Sequence, residues 1–180
     1  MTRYAGADIS LAGTALVSLS ESGDVIHVIN GLGYPVPDGS FWTKYTERIE
    51  IISRGVVSFL RNTTSAIEGY SYGSKGKSVT DIAELGGVIR YEIAHNINRD
   101  EWEVAPEIIP PTSLKRFTTG SGKADKAKMA IFVYKKWGFE HDDHNVIDAY
   151  ALAQMIRYSK EKPDMTHYQK ESLVKSKMWK

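Results

Sequence analysis

Apolar and polar positions divide the chain into short alternating or continuous apolar runs at the start and helical spacings later. Tyr4–Asp8 is a short strand-like stretch that ends on an acid. Thr14–Ser20 and Asp24–Asn30 are rich in Val, Ile and Leu and read as two strands, with Glu21-Ser22-Gly23 as the tight turn of a hairpin. Gly31–Ser40 holds three glycines and two prolines and reads as a loop. Over Phe41–Arg61 the apolar positions Ile49, Ile52, Val56, Val57 and Leu60 follow the helical period. Ser65–Tyr70 is a fourth strand, carrying Glu68. The run Ser78–Asp81 supplies N-cap chemistry for a helix to Ala94. Glu101–Ile109 is a fifth strand, halted by Pro110-Pro111. Helices are predicted near Thr112–Phe117 and Ala124–Trp137, around a Gly120-Ser121-Gly122 turn, and over Asn145–Tyr158, capped by Asp143 or a neighbour. Pro163 ends the last of these, and Thr166–Lys180 is one more helix or a basic tail. This order predicts an α/β fold: a mixed five-stranded sheet, three antiparallel strands then parallel ones, flanked by helices.

Composition narrows the classes. At 180 residues, 42% apolar and 25% charged, the chain is long and apolar enough for a folded core, which excludes a disordered chain. It has no cysteine, so disulfides, Cys-ligated zinc and thiol catalysis are excluded, and a reducing compartment is expected. No apolar run reaches the roughly 18 residues of a membrane span, and the first ten residues lack a signal-peptide core; a cytoplasmic protein is the expectation. Net charge is +1, but unevenly distributed. Residues 1–110 carry 9 basic and 14 acidic side chains, residues 111–180 carry 14 and 8. The basic second part admits a polyanionic partner as well as plain solvated helix faces.

Three acids stand in unusual places. Asp8 ends the first strand, Glu68 follows Ala66-Ile67 in a short strand, and Asp148 sits in the apolar run Val146–Ala153. Singly, each has an ordinary role: a turn-amide acceptor, a partner for a surface lysine, a complement to a helix dipole. Together, three carboxylates in apolar settings would repel strongly, and a hard divalent cation such as Mg²⁺ relieves that repulsion. Two such ions are a known device for hydrolysing phosphodiesters.

Four stretches resemble the RuvC family of Holliday-junction resolvases, especially its phage-encoded members, across about residues 3–158. They are Gly6–Thr14, Ile67-Glu68 with two nearby tyrosines, Pro111–Arg116 with Thr119–Lys126, and Asn145–Ala153. The resemblance implies an RNase H-like fold over residues 1–160, with 161–180 a tail or extra helix. It also implies a homodimer, Mg²⁺-dependent cleavage of branched DNA (two ions per site, Mn²⁺ as a substitute), and a bacterial host's cytoplasm. Asp8, Glu68 and Asp148 match three of four metal-binding positions; the fourth, usually Asp or His, is Asn145 here, with His144 one residue earlier as the alternative ligand. Lys115 and Lys126 match DNA-facing basic positions, and Arg116, Lys123 and Lys128 extend that patch. Tyr70 and Tyr72 flank the position of a junction-wedging aromatic, which falls on Ser71. The helix Ser78–Ala94, with Gly86-Gly87, resembles the dimer-interface helix.

Other readings fit less of the chain. Gly120-Ser121-Gly122-Lys123 fails the phosphate-loop pattern, because Phe117 and Ala124 stand at its required Gly and Ser/Thr positions. Asn62-Thr63-Thr64 is a glycosylation sequon with no sign of secretion. His141 and His144 lack further zinc ligands at fitting spacing. An RNase H-type or flap nuclease of the same fold, and a branched-DNA-binding module with a decayed site, suggested by Asn145, remain the alternatives.

Overall fold

The structure is a computed structural model in which residues 3–33, 39–69, 77–99, 102 and 104–178 are described, excepting the side chains of residues 41, 42, 77–79 and 98. Five strands, β1 (Tyr4–Asp8), β2 (Thr14–Leu19), β3 (Val25–Leu32), β4 (Thr64–Glu68) and β5 (Glu107–Ile109), form one sheet in the order β3-β2-β1-β4-β5. β1 pairs antiparallel with β2, and β2 with β3, while β4 runs parallel to both β1 and β5. The mixed sheet expected from the residue pattern is the one observed.

The helices divide between the two faces. α1 (Phe41–Leu60) and α2 (Lys77–Asn98) cover one face. There Ile52, Val56, Leu60, Leu85 and Ile89 pack with Ala5, Ala7, Leu16 and Ile67. α3 (Pro111–Thr119), α4 (Lys126–Trp137), α5 (His144–Glu161) and α6 (His167–Lys175) lie on the other side. Their core joins Leu114, Phe117, Met129, Val133, Leu152, Ile156 and Leu173 to Tyr4, Val17, Leu19 and Ala66. β1 and β2 are buried at every position because helices cover both their faces, whereas the edge strand β3 is largely exposed.

α5 is the central helix. Val146 and Ile147, then every residue from Ala149 to Ile156, are buried, so it is apolar all round rather than amphipathic. Its approach to β1 depends on Gly6, where a Cβ would lie 2.0 Å from the Ala149 carbonyl oxygen and 2.6 Å from the Ala153 amide nitrogen. No side chain fits there. Small residues on α5, Ala149 and Ala153, meet it from the other side.

Boundaries differ from expectation at several elements, most at β5, α2 and α3. β5 is three residues, not nine, because Pro106 has no amide to give to the ladder and pairing is confined to Glu107–Ile109. α2 begins at Lys77, so Ser78–Asp81 lie inside the helix rather than ahead of it. α3 starts at Pro111 and runs to Thr119, ending on Gly120 in the left-handed region (φ 81°). The segment after Pro163 forms α6, with a Thr166–Gln169 capping box and Leu173 fully buried.

Candidate active site

The parallel pairing of β1 with β4 sets the site. Ala7 lies beside Ile67, so both strands end at the same edge of the sheet on an acid, Asp8 and Glu68. This carboxyl edge is where open sheets with parallel strands commonly hold ligands. α5 lies against β1 through the Gly6 contact and brings Asp148 to the same edge. The turn after Asp8 is fixed locally: Ser10 Oγ accepts from the Gly13 amide (3.0 Å), and Thr14 Oγ1 donates to the Ser10 carbonyl (2.8 Å). Asn145 Nδ2 then donates to the Gly13 carbonyl at 2.9 Å, tying the turn to the first turn of α5.

The three carboxylates perturb one another. Asp8 is 8% exposed. Burial first, then repulsion from Glu68 and Asp148, holds its carboxyl well above the usual range, against the pull of Lys126. Burial and the Asp148 charge raise Glu68 to about 7, although the hydrogen bond from Asp8 and the charges of Lys115 and Lys126 act the other way. Burial also raises Asp148 to about 6, opposed by Lys126, Lys115 and His144. Asp8 and Glu68 share a hydrogen bond, and burial disfavours the charged form most at Asp8, the more deeply buried of the two. Glu68 borders a small pocket of about 30 Å³ walled by Ile9, Ile67, Ile82, Ile89 and Ile108, with Arg90 also in its lining.

The lysines arrive from two short helices held on α5 by aromatic packing. Phe117 of α3 and Trp137 of α4 stack with centroids 6.2 Å apart, and Tyr158 of α5 meets the Phe117 ring edge-on at 5.5 Å. Trp137 Nε1 donates to the Tyr158 hydroxyl at 3.0 Å. Lys126 opens α4, behind the N-cap Asp125, whose Oδ1 accepts from the Lys128 amide at 2.8 Å. Lys115 lies in α3, and its charge reaches both Glu68 and Asp148.

The residues singled out from the sequence thus separate. Asp8, Glu68, Asp148, Lys115, Lys126 and His144 come together. The charge of Arg116 acts on Glu171 of α6. Lys123 is exposed in the turn before α4, and Lys128 lies over the Phe132 ring at 5.8 Å. Asn145 is engaged with Gly13, while His144 Nδ1 is buried with no hydrogen-bond partner among the described residues. Asp143 caps α5, its Oδ1 accepting from the Asn145 amide, and its own amide donates to His141 Nδ1. Tyr70 and Tyr72 lie outside the described residues. Among the described residues, no group of three or more His, Asp or Glu side chains lies close enough to hold a metal ion. The carboxylates are near enough to shift one another's ionisation without forming a closed ligand cage. Gly6 is the positioning residue that sequence reasoning missed; its signal was a glycine in the middle of a strand.

No protein-family model and no curated protein matches the sequence. Solved structures do match. The structure of Thermus thermophilus RuvC superposes with a TM-score of 0.65 at 17% identity, over 89% of this chain and 97% of that one. T. thermophilus RuvC in complex with a Holliday junction substrate gives 0.63 at 16% identity, over 89% and 96%. Among the described residues no helix is long and apolar enough to cross a membrane. The chain has the RuvC architecture, an RNase H-like α/β fold with the mixed five-stranded sheet between its helices.

Proposed function

We propose that this protein is an endonuclease that hydrolyses phosphodiesters in branched DNA, with Holliday junctions as its substrate, in a Mg²⁺-dependent reaction. The observation that carries the reading is the meeting of Asp8, Glu68 and Asp148 from three separate elements at the carboxyl edge of the sheet, with Lys115 and Lys126 beside them. The donor chemistry fits a hard divalent cation: buried carboxylates that repel one another need positive charge among them, and oxygen donors suit Mg²⁺. Asp8, Glu68 and Asp148, near one another but not close enough here to ligate one ion, would hold it on drawing together, with His144 Nδ1, a buried nitrogen without a hydrogen-bond partner among the described residues, as the neighbouring donor in place of the engaged Asn145. Bound there, Mg²⁺ supplies an activated water and stabilisation of the leaving oxygen. Lys115 and Lys126 attract the phosphate and hold it against the acids, a contribution independent of base sequence. Because burial holds the Asp8 and Glu68 carboxyls above their usual range, a cation held by them would displace protons, and its affinity would rise with pH.

Two catalytic edges suit a two-fold junction, and the exposed face of α2 supports a symmetric dimer. Ala83, Gly87 and Ala94 are exposed on it, with open space where a Gly87 side chain would stand. A second reading, a branched-DNA-binding module without cleavage, is favoured by the absence of a closed cage of three acids or histidines among the described residues. One gel separates the readings, comparing four-way, flap, RNA–DNA hybrid and linear duplex substrates in Mg²⁺, Mn²⁺ and EDTA. Nicking of four-way junctions in Mg²⁺ alone or Mn²⁺ alone is the expected result. Junction binding without product in either ion would establish the binding module, and preferential cutting of hybrid or flap would move the substrate.

A further inference from the structure

The opposite edge of the sheet carries a cleft of about 550 Å³ with different chemistry. The register places Ser65, Ala5, Ser18 and His27 in one row across β4, β1, β2 and β3, on the face that α1 covers. α1 ends at Leu60, before it reaches the end of that face, and the cleft opens beneath its last turn. Arg3, Arg61, His27, Ser18, Asn62 and Thr63 line it, and no carboxylate does among the described residues. Arg61 is anchored, its Nη2 donating to Asn96 Oδ1 at 3.0 Å. Ser18 is 3% exposed, and its Oγ has no hydrogen-bond partner among the described residues; Ser65 Oγ, in the same row, is likewise unpartnered. Two of the α1 C-terminal carbonyls that would repel an anion are occupied: Leu60 O accepts from the Thr63 amide (3.1 Å) and hydroxyl (2.7 Å), and Val57 O from the Arg61 amide (3.1 Å).

We infer that this cleft binds an oxyanion of the phosphate class, held by Arg3, Arg61 and His27 with the Ser18 hydroxyl as a buried donor. Two guanidinium groups, an imidazole and a desolvated hydroxyl match tetrahedral oxygens, and among the described residues nothing acidic on the wall opposes them. The site is separate from the Asp8–Glu68 edge, since Arg3 precedes β1 where Asp8 ends it. Its ligand does not depend on the nuclease reading. The phosphate is either a free ion or a group on a nucleic-acid backbone, and the two sources are distinguished by the probe.

The test is NMR of the full chain in EDTA, following the His27 imidazole and the amides of residues 3, 18 and 27. Inorganic phosphate, pyrophosphate and a short oligothymidylate are titrated in turn. Saturable shifts with phosphate or pyrophosphate assign a free-anion site; saturable shifts with the oligonucleotide alone assign a backbone contact. In either case Arg3→Ala weakens the binding about tenfold, as expected for loss of a charged hydrogen-bond donor, with the remaining spectrum unchanged. Ser18→Ala weakens it less. Shifts that fail to appear with all three probes at millimolar concentration, or that persist undiminished in Arg3→Ala, overturn the inference.

Discussion

The two edges of the sheet are built from opposite ends of the same two strands, yet they hold opposite chemistry. At the carboxyl edge, β1 and β4 end on Asp8 and Glu68, and α5 closes over them with Asp148. At the amino edge, the same strands are preceded by Arg3 and by Arg61–Thr63, and α1 stops short of covering the face. The carboxyl edge is desolvated before its charges are balanced, so the acids there hold protons well above their ordinary range. The amino edge keeps its cations in an open cleft. The difference is one of helix placement: the glycine that lets α5 sit directly on β1 makes the acidic edge a strained, low-dielectric place, suited to capturing a cation.

The largest effect is expected from removing that placement. In Gly6→Ala, the new methyl would meet the Ala149 carbonyl at 2.0 Å, so α5 must lift from the sheet. A loss of about 3 kcal/mol or more in urea denaturation is expected. Gly87→Ala, on the exposed face of α2 with open space around it, is the contrast; there alanine gains about 0.5–1 kcal/mol. Equal effects at the two glycines would show that the close β1–α5 approach does not organise the carboxyl edge.

This contrast also marks what the residue pattern could and could not convey. β1, β2 and α5 were legible because continuous apolar runs are what two-sided burial demands. Asp8, Glu68 and Asp148 stood out because each is an acid in an apolar run. Lys115 and Arg116 could not be told apart by position in the chain alone: neighbours on a helix point about 100° apart, and only Lys115 reaches the acids while Arg116 faces Glu171. Asn145 matched a ligand position, but its amide holds the Gly13 carbonyl, 132 residues away in sequence. β5 was overestimated because Pro106 outweighs the strand-like residues before it. The amino-edge cleft was invisible, since residues 3, 18, 27 and 61 meet only through strand register.

The second prediction sets activity against stability. Asp8→Asn should lower junction cutting about a thousandfold or more, while junction binding in Ca²⁺ survives. The same change should stabilise the protein in EDTA at pH 7.5 by roughly 1–3 kcal/mol. Glu68 and Asp148 ionise at about 7 and about 6 in the folded chain, above their ordinary 4.5 and 3.8. The folded state therefore binds more protons than the unfolded one in this window, and stability falls as pH rises from about 4 to about 7. Asp8→Asn removes a carboxyl whose ionisation burial disfavours, and so relieves part of that loss. Denaturation curves at pH 5 and pH 7.5 measure it, and an unchanged pH slope in Asp8→Asn would mean the acids are not coupled.

A smaller effect separates the lysines at the carboxyl edge from the rest of the basic half. Lys115→Ala and Lys126→Ala should each reduce the slope of log binding constant against log salt by about one. Arg116→Ala, facing α6, should leave the slope unchanged. Fluorescence anisotropy on a four-way junction at several salt concentrations gives the numbers. A reduced slope in Arg116→Ala would extend the DNA path over α6.

The smallest effect is expected one residue from the site. Asn145→Ala removes the 2.9 Å bond to the Gly13 carbonyl but no charge, and the neighbouring backbone remains capped by Asp143. Its cost should be about 1 kcal/mol in denaturation, with Mg²⁺ affinity little changed. His144→Ala should behave in the opposite sense, because His144 Nδ1 has no bond to lose and its charge acts on Asp148. Stability should barely move while the Mg²⁺ concentration needed for half-maximal cutting rises. Paired titrations of the two variants decide between the adjacent side chains. If Asn145→Ala raises the Mg²⁺ requirement and His144→Ala does not, the amide leaves Gly13 to join the acids, and the turn after Asp8 is held by Ser10 and Thr14 alone.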